Sequence, residues 1–293
     1  MSQNIPMKLL DWLDKSKLDW DGLSKNPNAI PLLERNPEKI NWDCLSLNPN
    51  GIPLLKKNLE KIYWIWLSKN PNAIPILEQH PEKIDWDCLS ENPNAIPLLE
   101  QHPEKIDWYW LSRNPNAIPL LEQHPEKIDW YMLCDNPNAI PLLEQNLDKI
   151  DWRWFSANPS AIPLLEKYPE KIQWRWLSAN PNAIPLLERH PEKIDWGWLS
   201  TNQNAIPLLE RNQDNELCWS CWLSSNPNAM HLLEQNKEKI NWYSISINPR
   251  IFTYDYVAMK ENHRDLKEEL IQLAWHPSRI TAWLDAGVDL EDM

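Results

Sequence analysis

Asn92-Pro93-Asn94-Ala95-Ile96-Pro97-Leu98-Leu99-Glu100-Gln101-His102-Pro103-Glu104-Lys105-Ile106-Asp107-Trp108-Tyr109-Trp110-Leu111-Ser112-Arg113 is followed at once by a near copy that begins at Asn114. The leading Asn falls at Asn26, Asn48, Asn70, Asn92, Asn114, Asn136, Asn158, Asn180 and Asn202, each 22 residues after the last. Asn226 then comes after a step of 24, and Asn248 restores the step of 22. Ten units thus fill residues 26–247, and their positions are numbered 1 to 22 below. A period in this range marks a stacked repeat architecture, because one unit cannot bury its apolar face alone.

Each position has a physical reading. Position 3 is Asn or Ser (Asn28, Asn72, Ser160), a short side chain suited to cap a first helix. Pro at position 6 fits a first helical turn, where its missing N–H costs no hydrogen bond. Pro at position 12 (Pro37, Pro81, Pro103, Pro125) discourages continuation. Asp or Asn at position 16 (Asn41, Asp85, Asp107, Asp129) predicts the cap of a second, shorter helix, partly 3₁₀. Such short segments are marginal in water and hold only by stacking. The predicted fold is an all-α, right-handed α-solenoid of about ten 22-residue two-helix repeats with N- and C-terminal caps.

The spacing predicts a core of Ile at position 5 and Leu at position 8 (Ile74, Leu77), with Ile at position 15 (Ile84) and Trp and Leu at positions 17 and 20 (Trp86, Leu89). The Trp column reads as interior packing between copies. Asn at position 1 and Ser at position 21 persist among apolar neighbours, which predicts a hydrogen-bonded ladder along the stack. Residues 1–25 read as a degenerate capping repeat, in which Trp20, Leu23 and Ser24 keep the pattern. Residues 248–293 read as a C-terminal helical cap, with helices from Tyr254 to Trp275 and from Arg279 to Ala286. The unit 202–225 carries two extra residues, which predicts a local bulge or kink.

Composition limits function. With 29 Lys and Arg against 42 Asp and Glu, the net charge is −13, a field that disfavours polyanionic partners such as nucleic acid and acidic membranes. The N-terminus has no apolar core, so no signal peptide is expected. Five Cys without framework spacing fit a reducing compartment. No cofactor or metal is expected. His80, His102 and His124 recur one per unit, too far apart to share a small ion, and share their position with Asn36, Asn58 and Asn146. Cys218-x-x-Cys221 lacks the further ligands of a structural metal site and the βαβ setting of a redox site. Acid pairs such as Glu82 and Asp85 are copied from unit to unit, whereas a catalytic centre breaks repetition at one place. The chain reads as non-enzymatic.

Two resemblances follow from these residues. The short unit with Asn-Pro at its junction resembles the leucine-rich repeat variant, which implies a right-handed solenoid of α and 3₁₀ helices. The wording Asn-Pro-Asn-Ala-Ile-Pro-Leu-Leu-Glu with Lys-Ile-Asp-Trp resembles uncharacterised repeat proteins of giant DNA viruses such as the marseilleviruses. So does the tail Asn248-Pro249-Arg250-Ile251-Phe252, with His276-Pro277-Ser278-Arg279. This resemblance covers residues 26–293 and implies a viral protein of host cytoplasm or virus particle, not secreted, with no catalytic residues to carry over.

Variable positions are where partner recognition is expected. Positions 18 and 22 lie four apart on one face of the second helix, flanked by position 19. Aromatic and Arg side chains dominate interaction hot spots. Tyr109, Trp110, Arg113, Tyr131, Arg153, Trp154, Arg175 and Trp176 are therefore the candidate partner-binding residues, with Tyr109, Tyr131, Arg153 and Arg175 forming one patch. The expected function is a scaffold for protein partners. Alternatives are a virus-particle component built by self-association, and a single-strand nucleic-acid binder.

Overall fold

A computed structural model describes residues 6–212 and 219–261 of the chain. The fold is an all-α solenoid, and residues 12–251 form one compact unit. Outside the unit 202–225, a repeat contributes a first helix such as Ile96–Gln101, a 3₁₀ turn such as Pro103–Lys105, and a second helix such as Trp108–Arg113. The 3₁₀ element thus stands between the two helices, and the second helix is α. Cys218 of the Cys218-x-x-Cys221 pair, and the C-terminal helices beyond residue 261, lie outside the described residues.

The second helix starts as its sequence predicts. Asp85 accepts a hydrogen bond from the Cys88 N–H (2.9 Å), and Asp107 one from the Trp110 N–H (3.0 Å). The first helix starts differently. Its cap position is Ala, without a side-chain cap. Position 1 does the capping instead, because the Asn114 Oδ1 accepts from the Asn116 N–H (3.0 Å). Position 3 reaches backwards, so that the Asn116 amide donates to the Pro93 carbonyl of the preceding unit (2.8 Å).

The core also differs in detail. Ala, Leu and Leu at positions 4, 7 and 8 are the buried stripe of the first helix, as in Ala95, Leu98 and Leu99. Ile at position 5 is half-buried in most units, including Ile74. Ala at position 4, fully buried from Ala29 to Ala229, permits close stacking, and its stripe faces the core. Leu at position 20 is fully buried (Leu89, Leu111) and Ile at position 15 nearly so. The Trp of position 17 is half-buried in every unit, not interior. One side is covered by the next unit's position 11, as in Trp86 against His102 (5.0 Å between centroids) and Trp174 against His190 (4.8 Å). Elsewhere a Lys ammonium covers it, as Lys39 does over Trp20 (4.6 Å) and Lys61 over Trp42 (4.5 Å).

A buried polar ladder runs through the stack. The Asn114 Nδ2 donates to the Asn92 carbonyl (2.8 Å), at the start of the unit before, and to the Ser90 carbonyl (3.0 Å), at the end of the unit preceding that one. Ser112 Oγ donates to the Trp108 carbonyl (2.7 Å) and accepts from the Asp129 N–H of the next unit (2.9 Å). The expected ladder is therefore present, and each rung satisfies backbone groups that burial would otherwise orphan.

The ladder does not end. Asn26 Nδ2 donates to the carbonyls of Ser246 and Asn248 (2.9 Å each), as Asn48 does to those of Ser24 and Asn26. Asn28 donates to the Pro249 carbonyl, the Asp19 N–H to Ser246 Oγ, and Lys17 lies over Trp242. The ladder bonds and the Lys–Trp contact are thus copied between the helices Trp20–Lys25 and Trp242–Ile247. The repeats close into a ring. Its eleventh unit is split: Asn248–Ile251 gives the start, while the 3₁₀ turn Lys15–Lys17 and Trp20–Lys25 give the rest. Residues 12–25 and 248–251, parts of the two stretches expected to cap open ends, here complete one unit, and closure leaves no net superhelical rise. In the other compact unit, Met7–Leu9 pairs antiparallel with Phe252–Tyr254.

The two extra residues of the unit 202–225 are absorbed singly. Asn212 keeps position 11, and Trp219 comes one residue late. Trp219–Leu223 then forms a π turn, so that Ser224 Oγ reaches back five residues to the Trp219 carbonyl instead of four. The ladder passes this unit intact, with Asn226 donating to the Ser200 and Asn202 carbonyls.

Two predictions test this account. Asn114→Ala strands two carbonyls and one N–H in the core and should cost about 3 kcal/mol in chemical denaturation, whereas Asn116→Ala, at an exposed residue, should cost under about 1 kcal/mol. At the seam, a Cβ on Gly22 would lie 2.8 Å from both Ser246 Cβ and the Tyr243 carbonyl oxygen. Gly22→Ala should therefore destabilise by about 1–3 kcal/mol. Gly197→Ala, whose nearest neighbour is Asp195 Oδ1 at 3.3 Å, should be tolerated.

Candidate partner-binding face

Successive second helices pack directly on one another, Trp20–Lys25 lying between Trp42–Leu47 and Trp242–Ile247. First helices are instead linked by long side chains. Lys167 reaches Glu144 (2.9 Å), Arg189 reaches Glu166 (2.9 Å) and Arg211 reaches Glu188 (3.0 Å). A stack that is tighter along one edge curves towards that edge. The second helices therefore line the inner circumference of the ring.

Side chains at positions 18, 19 and 22 point away from the core on those helices and meet at close quarters. Trp154, Trp176, Trp198 and Trp222, all at position 19, follow one another with centroids 5.1, 5.0 and 4.8 Å apart. These steps are shorter than the roughly 8–10 Å between packed helix axes, as expected for groups on a smaller circle. Residues two units apart even touch. Lys25 lies over Trp66 (5.6 Å) and Lys69 over Trp110 (5.1 Å), in each case across a unit that carries only Cys at position 19.

Of the candidate residues, the structure brings Trp110, Arg113, Tyr131 and Trp154 around one cavity of about 140 Å³, with Met132 and Asp135. The cavity lies where Met132 interrupts the position-19 column between Trp110 and Trp154. Tyr131 leans on Trp154 edge-on (5.5 Å). Arg113 bridges Glu91 (3.0 Å) and Asp135 (2.6 Å), and Lys69 holds the other oxygen of Glu91 (2.7 Å). Position 22 is thus an alternating ion ladder over four units.

The remaining candidates are dispersed. Tyr109 is 42% exposed and packs edge-on against its neighbour Trp110. Trp176 sits within the indole row. Arg153 is drawn to Asp151 on its own helix (2.7 Å). Arg175 lines a second cavity, of about 260 Å³, with Asp195, Gly197, Trp198 and Trp222. Tyr109, Tyr131, Arg153 and Arg175 therefore share a face without forming one cluster. Met132 and Gly197 were missed as site residues. Their signal was the break each makes in a column of large side chains.

The thiol nearest the first cavity's helix, Cys134, is fully buried, and burial pushes its pKa up to about 11. Cys88 rises to about 11 as well, through burial and then the Asp85 carboxylate. The hydrogen bond from Arg153 holds Asp151 below the usual carboxylate range. Among the described residues, no group of three or more His, Cys, Asp or Glu is placed to hold a metal ion, and no helix is long and apolar enough to cross a membrane. No protein-family model, curated protein or solved structure matches the chain.

The Asp151 shift carries a pH prediction. A carboxylate whose folded pKa is depressed adds stability above its unfolded pKa, and that increment fades as pH falls through the folded value. Wild type should therefore exceed Arg153→Ala in stability at neutral pH, and the two denaturation midpoints should converge as pH falls through the lowered Asp151 value.

Proposed function

We propose that the chain is a non-enzymatic repeat scaffold that binds protein partners along the inner face of its ring. The observation that carries this reading is the cavity of Trp110, Arg113, Tyr131, Met132, Asp135 and Trp154. It is an apolar recess of aromatic walls with one ion pair at its side, the composition of an interaction hot spot. A constant frame surrounds it, so partner choice falls to the residues that differ between copies.

Chemical class of partner follows from charge. Arg113 is neutralised by Glu91 and Asp135, and the net charge is −13, which opposes a phosphate backbone. Protein is favoured over single-stranded nucleic acid. A particle component that polymerises through rod ends is disfavoured, since the two ends occupy each other. The resemblance to giant-virus repeat proteins puts the proposed partner in the cytoplasm of an infected cell or in the particle.

Cross-linking capture from such cells should recover a partner set with wild type. The double variant Tyr131→Ala, Trp154→Ala should lose it, by tenfold or more in yield. Both residues lie outside the buried core, so circular dichroism should be unchanged. Equal capture by the two proteins would reject this face.

A further inference from the structure

Along one arc of the inner face, position 19 alternates between residues without a ring and indoles: Cys44, Trp66, Cys88, Trp110, Met132, Trp154. Two units before each of these indoles, position 22 carries a cation: Lys25, Lys69 and Arg113. The chain fills the first two gaps itself. Lys25 lies over Trp66 across Cys44 (5.6 Å), and Lys69 over Trp110 across Cys88 (5.1 Å). In both cases an oxygen also holds the ammonium. Lys25 donates to the Tyr243 hydroxyl (3.1 Å), and Lys69 pairs with Glu91 (2.7 Å).

The third gap breaks the series. Arg113 has the register of Lys25 and Lys69, with Met132 between it and Trp154, yet its guanidinium is held between Glu91 (3.0 Å) and Asp135 (2.6 Å). At this gap stands the cavity of about 140 Å³. Tyr131 and Trp154 meet beside it with ring planes 74° apart, the two walls of a corner, and Trp110 and Met132 extend the lining. Aromatic faces attract cations through the ring quadrupole. A cavity of this size takes one group about as large as benzene, which a trimethylammonium head matches.

The lining also selects among cations. The ladder Lys69–Glu91–Arg113–Asp135 is neutral as a whole, so the rings decide. Both carboxylates are already bonded to Arg113, whereas a primary ammonium brings three N–H donors that need oxygen partners when buried. A quaternary ammonium has no donors, and aromatic walls suffice for it.

We propose that this cavity binds the trimethylated ammonium of a lysine side chain on the partner protein. This rests on the inner face being the partner-binding surface, and names the side chain that its cavity takes. The head group alone gains little, and the partner's contacts with the surrounding face supply the remaining affinity.

The test titrates the full-length protein with N-acetyl-trimethyllysine methylamide and follows the indole N–H signals by NMR. The unmethylated lysine probe, and the neutral tert-butyl isostere with carbon in place of nitrogen, should each bind at least about tenfold more weakly. Trp154→Ala should lose the binding. Arg113→Lys, which puts an ammonium in the register that reaches the next indole but one, should weaken it at least tenfold with circular dichroism unchanged. Equal binding of the isostere or of the lysine probe, unchanged binding by Arg113→Lys, or no binding of the trimethyllysine probe would overturn the proposal. Choline binding tenfold tighter than that probe would assign the cavity to a free head group and overturn the protein source. If the cage fails while Tyr131→Ala, Trp154→Ala still loses its captured partners, the inner face stands as a binding surface without it.

Discussion

A buried asparagine amide at the start of each unit is the interaction on which the rest depends. Its oxygen fixes the turn into the first helix, and its two N–H groups hold two carbonyls at the junction between the two preceding units. Helices of four to six residues have most of their backbone groups unpaired at one end or the other. Stacking would bury those groups without partners, at a penalty larger than such short helices gain from their own hydrogen bonds. The amide removes that penalty once per unit. Ser at position 21 does the same for the second helix, taking the next unit's N–H and donating within its own turn. Where Cys134 stands in for Ser, its thiol still donates to the Trp130 carbonyl (3.1 Å).

A junction made of backbone bonds is indifferent to what else a unit carries. That indifference explains how the π turn at Trp219–Leu223 is tolerated, since the rung from Asn226 forms despite two added residues. It also explains closure. The seam is chemically the same as every other junction, so the last unit finds in the first the surface it would find in another copy. The tight approach at Gly22 is a place where the seam demands a small residue.

Much of this was legible in the sequence, because copies within one chain act as their own comparison. The period, the Asp cap of the second helix and the Asn ladder follow from residues whose chemistry has few alternatives. The first-helix core did not, since Ile-Pro-Leu-Leu offers two apolar stripes and only the neighbouring unit decides which is buried. The indole column was misjudged for a related reason. Trp is large enough to be half-covered by His102 or Lys39 and still contribute its area, so apolarity alone does not place it inside. Closure was the least legible feature. It depends on a rotation summed over eleven units, which no single residue encodes. Its trace in the sequence is that the run of repeats is preceded by the second half of a unit, Trp20 to Ser24, and followed by the first half of one, Asn248 to Ile251.

Closure also changes what the variable positions mean. On an open stack, Tyr109, Tyr131, Arg153 and Arg175 would form a stripe that meets one side of a partner. On a closed ring the same positions become a wall that faces itself, and residues six units apart in sequence stand on opposite sides of it. Selectivity then comes from the order of residues around the circle as much as from any single contact. Within such a wall a small residue is as informative as a large one. Met132 and Gly197 each stand where neighbouring units carry bulk, and each is lined by the aromatic and charged groups that a bound side chain would meet. The repeat supplies a uniform circle, and the departures from repetition give that circle an orientation.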